Sequence, residues 1–190
     1  MICDNFKKSV NVQHVILAGL FHDMGNIIKS DLAHFLDFVE PEGIEYWESV
    51  KSEFLREYGD DAHSANVAIA KKIGLFTEVV SLIDNAGFSR MEKIFVSESF
   101  ELKVFEYGDI RVGPRGILSI AERLAEARAR YEARIKLKSY YETDDDFEKL
   151  SNAALKLEKQ IFEHVTLTPA DINDRAVEPL IKELWDYPIS

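Results

Sequence analysis

Cysteine and long apolar runs are scarce in this chain of 190 residues, and basic residues are fewer than acidic ones. Cys3 is its only cysteine, which excludes an internal disulfide and is typical of a protein in a reducing compartment. No uninterrupted apolar run approaches the about 18 residues that a transmembrane helix needs, and residues 1–10 lack the apolar core of a signal peptide. The sequence therefore predicts a cytoplasmic protein that is neither inserted into a membrane nor exported.

Lysine and arginine are outnumbered by acidic residues, 23 to 34, which gives a formal net charge of -11. This balance argues against tight general binding to a polyanion such as duplex DNA. A small phosphorylated substrate is the better expectation for a partner, and a homodimer is compatible with the composition. Apolar residues make up 46% of the chain, which is enough to bury a proper core.

Apolar residues recur at helical spacing along most of the chain, and no segment reads as a convincing strand. Ser119 and Glu122 form a capping-box pattern, which predicts the start of a long helix that reaches about Lys138. The predicted helices cover residues 12–23, 44–58, 63–73, 77–85, 100–112, 119–138 and 147–161, and a last helix begins at Pro179. The expected fold is all-α, with a core over residues 1–116 and an extension over 117–190 that packs on the core and contains a helical hairpin and a short final helix.

The helix predicted over residues 44–58 carries most of the aromatic side chains of its region. Its apolar spacing predicts an inward face, and such an aromatic group is more often core than a base-stacking platform. The residues expected to point inward are Tyr46, Trp47, Val50, Phe54 and Leu55.

The dipeptide His22-Asp23 places two metal-binding side chains at the end of the apolar helix predicted over residues 12–23. On a period of about 3.6 residues, His22 shares a face with Ala18, and Asp23 shares one with Ile16, so both are expected to point inward. A buried carboxylate is rarely left without a partner. The pair is therefore a candidate for metal binding.

Two further polar residues fall on apolar helical faces. Asp109 continues a stripe formed by Leu102 and Phe105, and His63 shares a face with Val67 near the start of its helix. One divalent cation bound by imidazole nitrogen and carboxylate oxygen would explain these inward polar groups together, because it would neutralise their charge. His63 could instead cap its helix or contact a substrate phosphate.

At these positions the chain resembles the HD-domain superfamily of metal-dependent phosphohydrolases, whose motif runs His, then His-Asp, then a distant Asp. Residues 17–25 resemble the family's second helix with its His-Asp-x-Gly ending, and residues 62–75 resemble its third motif helix. Residues 105–112, followed by 116–124, are similar to the helix that carries the last metal-binding Asp. The resemblance implies that residues 1–116 form an HD-type metal-binding core.

The chain departs from the family pattern at three places. No histidine occupies the place of the first motif His, and His14 lies about 12 Å from His22 along one helix, too far to replace it. Asn85 stands where family members with two metals have a further histidine, and because an amide is a poor ligand for transition metals, a single cation is expected. Asn26 stands where many members have lysine, which leaves Lys29 as the nearest cation.

The resemblance implies a metal-dependent phosphohydrolase, either a phosphomonoesterase or a phosphodiesterase, that acts on a nucleotide or another small phosphate ester. The expected cofactor is one divalent ion, which could be Mn, Co, Ni, Fe, Zn or Mg. Its ligands are expected from His22, Asp23, Asp109 and His63. The residues expected to act in catalysis are Asp23, Lys29, His63 and Arg111, and Arg115 is the expected cofactor-binding residue, which would also offset phosphoryl charge.

Several alternatives stay open at this point. The missing first His and Asn85 also fit a catalytically degenerate HD-fold scaffold used for ligand binding or partner assembly. The chain could also be a shortened form of a longer enzyme whose first helix lies upstream of Met1. Arg111 could form only a salt bridge, and Arg115, in a Gly-Pro-Arg-Gly loop, could merely turn the chain.

Overall fold

The computed structural model describes residues 1–34, 36, 39–113, 115–135 and 144–184, and these ranges form an all-α fold with one small hairpin. The α-helices of the described part are α1 (Val12–Phe21), α2 (Ile44–Tyr58), α3 (Ala62–Lys72), α4 (Thr77–Asn85), α5 (Met91–Val96), α6 (Phe100–Arg111), α7 (Ile120–Ile135), α8 (Asp144–Phe162) and α9 (Asp174–Leu184). Short 3₁₀ helices lie at Cys3–Asn5, Asn26–Lys29, Leu32–His34, Phe88–Arg90 and Pro169–Asp171. The prediction of an all-α fold is confirmed.

Local signals in the sequence set several helix ends. Asp61 caps α3, because its side chain accepts a hydrogen bond of 2.8 Å from the Ser64 N–H. Gly59 ends α2 with a φ of 83°, a left-handed conformation that glycine adopts without strain, and its N–H donates to the Leu55 carbonyl. The predicted capping box before α7 is present, since the Ser119 and Glu122 side chains each bond the other's backbone N–H.

Two predictions about the chain's later elements are wrong. The last helix begins at Asp174 rather than at Pro179, which lies inside it, because the Asn173 side chain accepts from the Ala176 N–H and so caps the earlier start. The prediction of no strand misses an antiparallel hairpin of β1 (Val112–Gly113) and β2 (Gly116–Ile117), which is too short to give an alternating pattern. The predicted end of α7 near Lys138 lies outside the described residues.

The chain divides into two compact units: unit 1 is Met1–Ile16 with Asn85–Ser190, and unit 2 is Leu17–Asp84. The predicted boundary at residue 116 falls within unit 1. There, α5, α6 and α7 each pack against α8, and the packing of α7 on α8 is the one expected of a helical hairpin. The largest buried side chains of this core are Tyr107, Met91, Ile94, Leu157 and Ile161.

In unit 2, α2 and α3 pack against the 3₁₀ helix Asn26–Lys29. The prediction that α2 has a buried face is wrong, since Tyr46 is 51% exposed and Leu55 is 37% exposed. Trp47 and Phe54 are half-buried. The helix packs on short elements that cover little of its surface, so its bounds agree with the prediction while its burial does not.

Across the residues that the structure describes, none of the helices is both long enough and apolar enough to cross a membrane.

Candidate metal centre

His22 and Asp23 lie in unit 2, immediately after the end of α1 at Phe21. The His22 side chain is 19% exposed and the Asp23 side chain is 60% exposed. The prediction that both point into the core is therefore wrong for Asp23, because helical periodicity does not extend beyond the last residue of a helix. Exposure leaves the carboxylate open to solutes.

The orientation of the His22 ring is fixed by the preceding turn of helix. Its Nδ1 lies 2.9 Å from the Gly19 carbonyl oxygen, so in the neutral ring Nδ1–H donates and Nε2 carries the lone pair. That Nε2 lies 3.5 Å from Oδ2 of Asp23. Metal-binding histidines commonly donate their second N–H to a carbonyl in this way, which fixes the tautomer that can bind.

The turn that carries the pair is anchored on α3 through Gly25 and Asn66. The Gly25 N–H donates to Oδ1 of Asn66, and both residues are buried. Sequence reasoning missed Asn66, because a single asparagine among apolar residues of a helix carries no motif. The glycine of the His-Asp-x-Gly ending was the available signal that another element approaches closely here.

Asp109 lies in the last turn of α6, in unit 1, and is exposed. The prediction that it points into the core is wrong, although Leu102 and Phe105 of the same stripe are buried. Burial along α6 ends at Tyr107, before Gly108 and Asp109, and resumes only at Arg111. Asp23 and Asp109 are both exposed, so burial gives no reason for a metal at these carboxylates.

Within unit 2, His22 and Asp23 offer an imidazole nitrogen and a carboxylate oxygen that lie 3.5 Å apart. Imidazole nitrogen and carboxylate oxygen are donors that first-row divalent ions accept. Asp109, the third residue of the predicted motif, belongs to unit 1.

His63, the fourth predicted ligand, lies near the start of α3 in unit 2. Its Nε2 lies 3.1 Å from the carbonyl oxygen of Asp84 and 3.5 Å from the Asp84 carboxylate, at the end of α4. His63 does not cap α3, because Asp61 occupies the N-cap position. The His63 ring is about one-third exposed, which keeps it accessible from solvent.

Arg111 is buried in unit 1, with 4% exposure. Its guanidinium donates to the Tyr107 hydroxyl, to the Leu118 carbonyl and, at 2.9 Å, to the Ile172 carbonyl. It also lies 3.4 Å from the Pro169 carbonyl. These bonds tie α6 to the segment before α9, and they give Arg111 a structural role of its own.

The other predicted residues are exposed. Lys29 ends the 3₁₀ helix Asn26–Lys29, which Asn26 begins, and Arg115 lies in the turn between β1 and β2. Asn85 is the exposed last residue of α4. Two residues later, the backbone N–H of Gly87 donates to Oε2 of the buried Glu106 at 2.7 Å. This bond attaches the turn that contains Gly87 to α6.

The chain matches no model of a known protein family, no curated protein and no solved structure. The likeness to HD domains thus depends on the residues described above.

Proposed function

We propose that this chain is a metal-dependent phosphohydrolase of the HD-domain type, which acts on a nucleotide or another small phosphate ester. The single observation that carries the proposal is the pair of His22 and Asp23, whose Nε2 and Oδ2 lie 3.5 Å apart and whose imidazole is oriented by the Gly19 carbonyl. Together with Asp109, these are the residues at which the sequence resembles the family's His-Asp and distant Asp. The proposal includes one divalent cation, held by these three side chains.

The chemistry of the donor set fits such an ion. Two carboxylates and a neutral imidazole balance a charge of +2, and three protein ligands are the number that catalytic metal sites commonly use, which leaves room for water and substrate. The Nδ1–H bond of His22 to Gly19 favours the tautomer in which Nε2 can bind a metal. The exposure of Asp23 is suited to an open site rather than a closed structural one.

The ion would lower the pKa of a water toward neutrality and offset charge on the phosphoryl group. His22, Asp23 and Asp109 would hold it, and the backbone bond of His22 would keep the imidazole in one orientation. Lys29 and Arg115 are exposed cations that could pair with the non-bridging phosphate oxygens. In the neutral ring the Nε2–H of His63 donates to the Asp84 carbonyl and Nδ1 is an acceptor, so a phosphate contact is not assigned to His63.

Arg111 is left out of this assignment. Its guanidinium already serves the Tyr107 hydroxyl and the backbone carbonyls that join α6 to the C-terminal segment. A catalytic arginine must be able to turn toward the phosphoryl group, and a 4% exposed guanidinium held by these acceptors does not do so without breaking them.

The direct test is phosphate release by metal-stripped protein supplied with Mn²⁺, Co²⁺, Ni²⁺, Zn²⁺ or Mg²⁺. The substrates are nucleoside monophosphates, p-nitrophenyl phosphate and its diester, so that monoesterase and diesterase activity are distinguished. We expect hydrolysis that Mn²⁺ or Co²⁺ stimulates and that Asp23→Asn abolishes, since the neutral amide is a poor ligand. Equal activity of Asp23→Asn and the parent would contradict the assignment.

The second candidate is a catalytically degenerate HD-fold scaffold that binds a ligand or partner. The observation that favours it is that one of the three proposed ligands is an imidazole and that the Asp23 and Asp109 carboxylates are exposed, a set that binds metal more weakly than one with several histidines. If the protein binds a divalent ion and a nucleotide but no metal and substrate pair gives turnover, the scaffold is the better description.

A further inference from the structure

Asn66 is a buried polar residue of α3 that takes no part in the proposed reaction. It is 6% exposed, in a helix whose other buried residues are apolar. Its Oδ1 accepts a hydrogen bond from the N–H of Gly25, in the turn that follows His22 and Asp23. A buried side chain amide has a cost unless it is hydrogen-bonded, and here the bond is to the candidate metal-binding turn.

Gly25 lies so close to α3 that no larger residue fits. A Cβ at this position would lie 2.8 Å from the Cβ of Ala65 and 2.9 Å from both the backbone nitrogen and Oδ1 of Asn66. The backbone of Gly25 has an ordinary φ of -86°, so glycine is required for space and not for conformation. The turn is therefore fixed on α3 both by the hydrogen bond and by direct packing.

The anchor acts on the metal-binding residues through a short run of backbone hydrogen bonds. The Asn26 N–H donates to the Asp23 carbonyl at 2.9 Å, and the Ile28 N–H donates to the Gly25 carbonyl at 3.1 Å. On the other side, the His22 N–H donates to the Ala18 carbonyl at 3.0 Å. Holding Gly25 thus limits where the backbone of Asp23 can lie relative to His22.

We propose that Asn66 is a positioning residue of the metal centre: through Gly25 it holds the turn in which His22 and Asp23 present their ligand atoms together. This inference rests on the proposed function, because it assumes that those residues bind a divalent ion. Groups that orient metal ligands typically change metal affinity about 10-fold to 100-fold when they are removed. The effect is expected in the affinity for the ion itself and does not depend on turnover.

The test compares Asn66→Leu with Asn66→Asp. Leucine has a similar size and no acceptor, whereas aspartate keeps an oxygen at the place of Oδ1. Binding of Mn²⁺ is measured by titration calorimetry, and the ligand set is monitored by the visible absorption of the Co²⁺-loaded protein. We expect Asn66→Leu to weaken Mn²⁺ binding about 10-fold or more and to alter the Co²⁺ spectrum, and Asn66→Asp to remain within about 3-fold of the parent.

A control variant shows whether lower stability alone would weaken Mn²⁺ binding. Val80→Ala removes buried volume from α4 in the same unit and serves as a control of lowered stability. It should lower the melting temperature while leaving Mn²⁺ affinity unchanged. If Val80→Ala weakens Mn²⁺ binding as much as Asn66→Leu does, the effect is general and the positioning role is wrong.

A glycine pair provides an independent measurement. Gly25→Ala should push the turn away from α3 and weaken Mn²⁺ binding, because its Cβ meets Ala65 and Asn66. Gly19→Ala is the matched control, since nothing lies within 4 Å of its added Cβ and the carbonyl that accepts from His22 is kept. Equal Mn²⁺ affinities of these two variants would overturn the inference.

The outcomes separate this inference from the function on which it rests. If the parent protein binds no divalent ion, the proposed function fails and the positioning role fails with it. If the parent binds Mn²⁺ and Asn66→Leu binds it equally well, the metal centre stands and Asn66 is only a structural residue.

Discussion

Nδ1 of His22 lies 2.9 Å from the carbonyl oxygen of Gly19, so a backbone group one turn back along the chain decides which ring nitrogen can bind a metal. Asparagine at position 22 would place its amide nitrogen near Nδ1 and keep the bond to Gly19, but it has no atom at the place of Nε2. We therefore expect His22→Asn to lose retention of a divalent ion while its melting temperature stays near that of the parent. Metal analysis after gel filtration, together with a thermal melt, checks both parts.

The number of ions per chain is the second expectation. Because three ligands are proposed and Asn85 stands where two-metal members of the family that the sequence resembles have a further histidine, we expect the protein to bind at most one divalent ion tightly. Asp109→Ala should abolish that binding and leave the helical circular dichroism unchanged, since the side chain is exposed. Asp60→Ala, which removes another exposed carboxylate, is the control. Two tightly bound ions per chain, or unchanged binding by Asp109→Ala, would show the ligand assignment to be wrong.

Asp61 makes part of the stability dependent on pH. Hydrogen bonds from Ser64 hold the pKa of the Asp61 carboxyl below its usual value in the folded state. Its contribution is thus fully present above the unfolded pKa of about 3.9 and is lost as the pH falls through the lower folded pKa. We expect Asp61→Ala to lower the free energy of unfolding by about 1 kcal/mol at pH 7, and by less near pH 3.

Asparagine is the matched substitution at this cap, because it accepts the same hydrogen bond and does not titrate. Asp61→Asn should lose little stability at pH 7. Denaturant melts of the parent and both variants across the acid range give the comparison. A difference between the parent and Asp61→Ala that stays constant down to pH 3 would contradict the prediction.

Arg111 should matter for stability far more than an exposed arginine does. Arg111→Met removes charge-assisted bonds to the Tyr107 hydroxyl and the Ile172 carbonyl and leaves buried acceptors without a donor. We expect a loss of about 2 to 4 kcal/mol in the free energy of unfolding. Arg123→Met, at a partly exposed pair with Glu126, should cost about 1 kcal/mol or less. Similar losses from the two substitutions, measured by urea unfolding, would refute the structural role of Arg111.

Helix bounds could be predicted well where the chain itself carries the stop signal. The predicted bounds of α2 and α4 agree with the structure, because Gly59 and Gly87 lie just beyond them. The start of α9 was mispredicted because proline at the first position of a helix is a stronger pattern than a single asparagine cap. The small hairpin of β1 and β2 was missed because two residues per strand give no periodicity.

The sequence indicated which residues to consider for the candidate site but not their environment. The His-Asp motif identified His22 and Asp23, whose Nε2 and Oδ2 lie 3.5 Å apart, and the role of Asp109 stays a prediction. The burial of these residues was mispredicted, because apolar spacing reports the faces of a helix and both carboxylates lie where a helix ends. Asn66 could not be identified, because its role depends on Gly25, which is distant in sequence.

In the core of unit 1, the Tyr107 hydroxyl bridges the Arg111 guanidinium and the Glu158 carboxylate. The hydroxyl accepts from the Arg111 guanidinium and donates, at 2.7 Å, to the carboxylate of Glu158 in α8. Burial, and then the bond to Glu158, raise the pKa of Tyr107, so the phenol keeps its proton at any physiological pH. A neutral hydroxyl therefore links a cation of α6 to an anion of α8, and this connection between the two helices does not depend on the ionisation of the phenol.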